Sequence, residues 1–147
     1  MEKEFVSYEQ AVALKELEFE TDYSFGRFYT KPRSKMFGID EKGRNYPIKN
    51  YPKKLYTVGE HFVLNDDNVF DVPLKQQVFR WFREKKLHNT FPSIIQTRNW
   101  VSLYRILEWH PGNDSTSIST SDYYDTYEEA ENACIDKLIS ICKQQDK

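Results

Sequence analysis

Glycine, cysteine and long apolar runs are all scarce in this chain, and each shortage excludes something. Five glycines in 147 residues argue against a disordered polypeptide. The two cysteines, Cys134 and Cys142, lie on one predicted helix. At a rise of about 1.5 Å per residue they are about 12 Å apart, too far to bridge each other. Two unbridged thiols suit a reducing cytoplasm. No apolar run approaches the length of a membrane span, and Met1-Glu-Lys-Glu-Phe5 lacks the basic and apolar regions of a secretory signal. The expectation is a protein of the cytosol of whatever cell makes it, with no membrane partner.

Catalytic signatures are missing as well. There is no P-loop, no Gly-x-Gly-x-x-Gly, no His-Glu-x-x-His and no Gly-x-Ser-x-Gly. His61, His88 and His110 fall on a strand, a helix end and a turn, and no two share ligand spacing with a cysteine. Asp66 and Asp67 have the chemistry for a cation or an acid/base pair, but Asn65-Asp-Asp-Asn68 reads first as a turn. Cys134 sits on an apolar helix stripe and reads as a small core residue, not a nucleophile. No catalytic residue, metal or cofactor is assigned.

What the chain does have is rings and a charge division. Aromatic residues make up 16% of it, enough to build a core from large side chains. The net charge of −2 conceals a basic middle: residues 27–54 carry nine Lys and Arg against Asp40 and Glu41, a net of +7. Residues 1–22 carry seven carboxylates against two lysines, and residues 108–136 carry eight with no Lys or Arg. Such blocks either present a positive patch to an anion or neutralise one another within the fold. The nearly neutral total puts self-neutralisation first.

Hydrophobic spacing predicts an α+β fold in one domain of 147 residues, with residues 1–70 forming a helix and an irregular β region and residues 71–147 an α-β-β-β-α subdomain. Ser7-Tyr-Glu-Gln10 is a capping box opening a helix to about Glu18. Residues 23–29, 36–39, 55–58 and 61–64 read as short strands, while two Tyr-Pro pairs deny helix to residues 44–54. Pro73 to Leu87 reads as the central helix, capped by Asp71, with Leu74, Val78, Trp81 and Phe82 on one stripe and Gln76, Gln77, Arg80, Arg83 and Glu84 opposite. Strands over 93–97, 100–109 and 115–124 form an antiparallel sheet that two helices cover. In the long strand Val101, Leu103, Leu107 and Trp109 share one face with Arg105, and Ser102, Tyr104, Ile106 and Glu108 the other. Thr126-Tyr-Glu-Glu129 is a second capping box, opening a helix with Ala130, Cys134, Leu138 and Ile141 on its stripe.

Pro73-Leu-Lys-Gln-Gln-Val-Phe-Arg-Trp-Phe-Arg-Glu-Lys85 and Thr126-Tyr-Glu-Glu-Ala-Glu-Asn-Ala-Cys-Ile-Asp-Lys-Leu138, with the opening Glu4 to Leu17, resemble a family of small uncharacterised proteins encoded by tailed phages and prophages of Bacteroidetes-type bacteria. That resemblance implies a phage setting and carries no activity. The α-β-β-β-α order is similar to that of the double-stranded RNA-binding domain. That domain needs lysines at the start of its last helix, where this chain has Glu128, Glu129 and Glu131, which argues against RNA binding by that surface.

The first functional expectation is a non-enzymatic phage accessory protein that binds a host or phage protein, such as a host-takeover or anti-defence inhibitor. The second is a module for nucleic acid or a nucleotide signal. Its candidate residues are Arg27, Lys31, Arg33, Lys35, Arg44, Lys49, Lys53 and Lys54, interleaved with Phe28, Tyr29, Phe37, Tyr46, Tyr51 and Tyr56. Arg80 and Arg83 join them from the central helix, with Lys75, Lys85 and Lys86. An enzyme whose site matches none of the motifs above is third, and a virion component is a further alternative.

Overall fold

The computed structural model describes residues 2–20, 26–64 and 66–145. The chain is a mixed α+β protein that divides into two compact units, Phe5–Leu74 and Lys75–Lys147, the latter joined by Met1–Glu4.

In the Phe5–Leu74 unit the first capping box forms as its residues dictate. Ser7 Oγ accepts from the Gln10 N–H at 3.2 Å, and the Ser7 N–H donates to Gln10 Oε1 at 3.0 Å. Helix α1 (Tyr8–Glu16) follows and buries Ala11 and Leu14. Two three-stranded antiparallel sheets complete the unit. One has the order β4 (Tyr56–Thr57), β1 (Arg27–Thr30), β6 (Val69–Asp71), and the other β3 (Asn45–Ile48), β2 (Met36–Ile39), β5 (His61–Val63). Phe28, Met36 and Tyr56 are buried together, with Ile48, Val63 and Val69 packed against them. Period-two alternation is plain in β2, where Met36 and Gly38 are buried and Ile39 is exposed. Gly38 leaves room for the ring of its cross-strand neighbour Tyr46: a Cβ there would lie 2.5 Å from Cζ and the exposed ring would have to move aside.

Two expectations for this unit need correcting. Asp71 does not cap the central helix but lies in β6 opposite Phe28. A 3-10 turn (Asp66–Asn68) feeds Val69 and Phe70 into that strand, whose pairing with β1 satisfies several backbone groups where a cap satisfies one. The strand expected at 23–29 is observed as Arg27–Thr30, and residues 23–25 lie outside the described residues.

The Lys75–Lys147 unit has the order α2 (Lys75–Trp81), β7 (Thr90–Gln96), β8 (Ser102–His110), β9 (Ser115–Thr120), α3 (Tyr127–Gln145). The sheet is antiparallel with β8 central. The central helix is shorter than its apolar stripe suggests, because residues Phe82–Lys86 form a π turn. Its wider pitch brings Leu87 round to the side of Phe82, and both are buried. Val78, Trp81 and Phe82 are buried as the stripe requires.

The second capping box is also present. Thr126 Oγ1 accepts from the Glu129 N–H at 3.1 Å, and the Thr126 N–H donates to Glu129 Oε2 at 3.3 Å. Helix α3 buries Ala130, Cys134, Ile135, Leu138, Ile139 and Cys142, and packs on β7, β8 and α2. The strand face turned to α3 is the mixed one. Ser102 and Ile106 are fully buried, and burial, followed by smaller effects of Tyr124, Cys134, Asp122 and Asp136, raises the Tyr104 phenol pKa. On the other face Leu103 is buried while Leu107 and Trp109 are half-buried.

Lys75, a candidate anion ligand by sequence, is removed from that role by burial. It is 3% exposed and its Nζ lies 3.4 Å from Oε1 of Glu131 on α3. Truncating one partner of a buried pair leaves the other charge uncompensated. Glu131→Ala should therefore destabilise the protein by about 3–5 kcal/mol in urea unfolding, while the double change Lys75→Met with Glu131→Leu should fall close to the parent.

Candidate functional site

The basic segment is organised by Asn50, a residue the charge pattern does not single out. The turn after β1 carries Lys31, Arg33 and Lys35, and the loop after β3 carries Lys49, Lys53 and Lys54. Asn50 in the second is bonded once to the end of β1 and twice to the turn: Thr30 Oγ1 donates to its Oδ1, and its Nδ2 donates to the carbonyls of Lys31 at 3.2 Å and Ser34 at 3.0 Å. An Asn side chain supplies both a carbonyl and an amide, so one residue can satisfy both sides of such a clasp. The turn itself closes through Ser34 N–H to the Lys31 carbonyl, with Arg33 at a φ of 68°.

The second loop is also tied to the core. The Tyr51 N–H donates to Tyr56 Oη at 2.9 Å, while the Tyr56 ring is buried and stacked on Phe28 at 5.8 Å. Tyr51 is left 51% exposed, with Lys49 Nζ 5.2 Å from its ring centroid. A cation resting on an accessible ring is the local arrangement that a stacked base and its phosphate require.

The sequence candidates separate into groups. Arg33, Lys35, Lys49 and Lys54 are exposed on the two clasped loops, and none has a carboxylate within ion-pair distance among the described residues. Lys54 Nζ lies 5.4 Å from the Tyr56 ring centroid. Lys53 belongs to the same loop but pairs with Glu9 at 2.9 Å, a hydrogen bond that lowers the Glu9 pKa and raises its own. Lys31 is half-buried, with Nζ 5.8 Å from the Phe70 ring centroid.

Two others stand apart from the clasp. Arg27 is half-buried and donates from Nη1 to Thr57 Oγ1 at 2.7 Å. Arg44 is at the β2–β3 turn with Lys42, and its Nε lies 2.9 Å from Asp40 Oδ2. The Arg44 amide, followed by its side chain and the Lys42 amide, holds the Asp40 carboxyl below its usual range. Arg80 and Arg83 belong to the Lys75–Lys147 unit, where both are exposed and Arg80 pairs with Glu84 at 3.0 Å. The only signal for Asn50 in the sequence is an Asn in a Pro-interrupted stretch, the type that bonds to nearby backbone.

Among the described residues no three His, Cys, Asp or Glu side chains gather into a metal-holding group. None of the helices searched is long and apolar enough to cross a membrane. Cys134 and Cys142 are free and buried. Burial, with a smaller effect of Glu131, pushes the Cys134 thiol up to about 12.

Two outcomes follow for this site and for Cys134. Asn50→Ala removes three hydrogen bonds and should lower stability by about 2–3 kcal/mol, with faster amide exchange in residues 31–35. In the folded protein Cys134 should resist iodoacetamide at neutral pH and react once denatured. Unfolding restores the ordinary thiol value near 9, so the unfolded state holds fewer protons at higher pH. The contribution of Cys134 to stability should accordingly be present below pH 9 and decline as the pH rises towards 12, a trend that Cys134→Ala removes.

No protein-family model, no curated protein and no solved structure matches the chain.

Proposed function

We propose that the protein acts by binding, without catalysis, and that its ligand is single-stranded nucleic acid held by the two clasped loops. The observation that carries this reading is the joining, through Asn50, of a turn bearing Arg33 and Lys35 to a loop bearing Lys49, Lys54 and the exposed Tyr51 ring. Cations on two adjacent loops follow a phosphate backbone, and an accessible ring stacks a base regardless of its identity. Internal pairing of Lys53 and Arg44 leaves these four cations for a ligand. In the phage setting that the sequence resemblance implies, this would be an accessory role in an infected cell; the cations and the accessible ring favour an anion over a protein docked on the same loops.

Fluorescence anisotropy with labelled oligothymidylate tests it. Four engaged cations give a plot of log K against log salt a slope of about −3. Arg33→Glu and Lys49→Glu should each weaken binding and flatten that slope, and Tyr51→Ala should cost about 1–3 kcal/mol of affinity. Lys42→Ala, outside the clasp, should leave affinity unchanged. Absence of salt-sensitive binding, or equal losses from Lys42→Ala and Lys49→Glu, would refute the assignment.

A further inference from the structure

The three-stranded sheet of the Lys75–Lys147 unit has two unlike edges. Along β7 the Trp109 N–H donates to the Asn89 carbonyl at 2.8 Å and the Thr97 N–H to the Val101 carbonyl at 2.9 Å. With the register Phe91 to Leu107 and Ser93 to Arg105, odd-numbered residues of β7 face β8 and even-numbered ones face outward. Pro92 therefore puts a nitrogen without a proton on that outer edge, a common way of blocking further pairing.

At β9 nothing comparable is present. The Ser121 N–H donates to the Tyr104 carbonyl at 3.0 Å, and the register runs unbroken from Arg105 opposite Thr120 to His110 opposite Ser115. Residues 115, 117, 119 and 121 thus turn their backbones to β8, and Thr116, Ile118 and Thr120 turn theirs outward. All six residues of the strand are exposed, and Ser115-Thr-Ser-Ile-Ser-Thr120 contains no Lys, no Pro and no bulge. Ile118 is 62% exposed and stands in one row with Leu107 and with Phe91, itself 48% exposed.

Charge decides what such an edge accepts. Residues 106–136 contain no Lys or Arg, and Asp114 at one end of β9 and Asp122 and Asp125 beyond the other are exposed; the exposed Arg105, one strand back on β8 and opposite Thr120, offsets one of the two carboxylates at that end and leaves both ends negative. A second copy pairing antiparallel about a two-fold axis would use all three outward residues only with Ile118 opposite Ile118 and Thr116 opposite Thr120. The same register sets Asp114 opposite Asp122 at both ends, and like charges directly opposite are destabilising. A strand with positive ends meets the reverse situation. We propose that the β9 edge receives, by strand addition, an extended segment of a partner protein that carries Lys or Arg at both ends and an apolar residue beside Ile118.

The probes are two fluorescent peptides, Lys-Lys-Val-Thr-Val-Thr-Val-Lys-Lys, whose central Val falls opposite Ile118 when its ends face Asp114 and Asp122, and its twin with Glu for every Lys, titrated into the full chain. The Lys-ended peptide should bind at least about tenfold more tightly, with salt reducing the difference. Amide exchange should slow at Thr116, Ile118 and Thr120. Ile118→Pro removes an outward N–H and no bond to β8, so it should abolish binding while far-UV circular dichroism stays as in the parent. A second variant leaves the strand itself intact: Asp114→Asn with Asp122→Lys should erase the preference between the peptides. Equal affinity for both peptides, binding of neither, or undiminished binding by Ile118→Pro overturns the proposal. So does concentration-dependent dimerisation that Ile118→Pro removes, which would make a second copy the occupant.

Discussion

Tyr56 joins the two things the Phe5–Leu74 unit has to do, bury its rings and hold a polar loop in place. Its ring is 2% exposed, stacked on Phe28 and touched edge-on by His61 at 5.3 Å. A buried tyrosine needs a partner for its hydroxyl, and here that oxygen accepts the Tyr51 N–H. The apolar body therefore supplies rigidity and the polar tip passes it to the loop. Asn50, next to Tyr51, then extends the same constraint to the turn at 31–34. Four cations and one ring thereby share a framework, although no sheet hydrogen bond connects the two loops directly. In the other unit the equivalent constraint is α3 on β8, where Ile106, Cys134, Ile135 and Leu138 have no exposed surface.

The charge blocks of the sequence have two fates, and geometry separates them. Lys53 with Glu9 and Arg44 with Asp40 neutralise each other inside the unit, as the nearly neutral total suggests. Both are exposed pairs, which contribute little to stability, so their main effect is to withdraw charge from the patch. Lys75 and Glu131 do the same at depth, where the pair is costly to break. On the loops 31–35 and 49–54 four cations remain without an ion pair among the described residues, Arg33, Lys35, Lys49 and Lys54. What remains negative includes the two ends of β9. These two remainders differ in chemistry: exposed cations around a ring suit a phosphate backbone, and carboxylates at the ends of a bare strand suit a basic peptide.

Much of the local structure was legible from short-range chemistry. Ser7 with Gln10 and Thr126 with Glu129 predict helix starts because each box closes within four residues and needs no tertiary partner. The stripe of Val78, Trp81 and Phe82 and that of Ala130, Cys134 and Leu138 were readable for the same reason: helical periodicity is a local property. Asp71 misled because its type suits a cap as well as a strand end, and only pairing with Phe28 distinguishes them. The π turn at Phe82–Lys86 was hidden because Leu87 had first to find a buried place.

By itself the sequence determined the starts of the two helices that open on capping boxes, the α-β-β-β-α order and the existence of a basic block, since all depend on neighbours a few residues apart. Only the tertiary structure decided which cations stay available, that Asn50 holds residues 31–34, that Lys75 is buried, and that one sheet edge is blunted while the other is open. Those outcomes depend on residues brought together from 16 to 56 positions apart in the chain, as Asn50 with Ser34 and Lys75 with Glu131 are. A charge or an amide has no periodicity that announces its partner, so composition shows that it exists and folding alone shows whether it is spent.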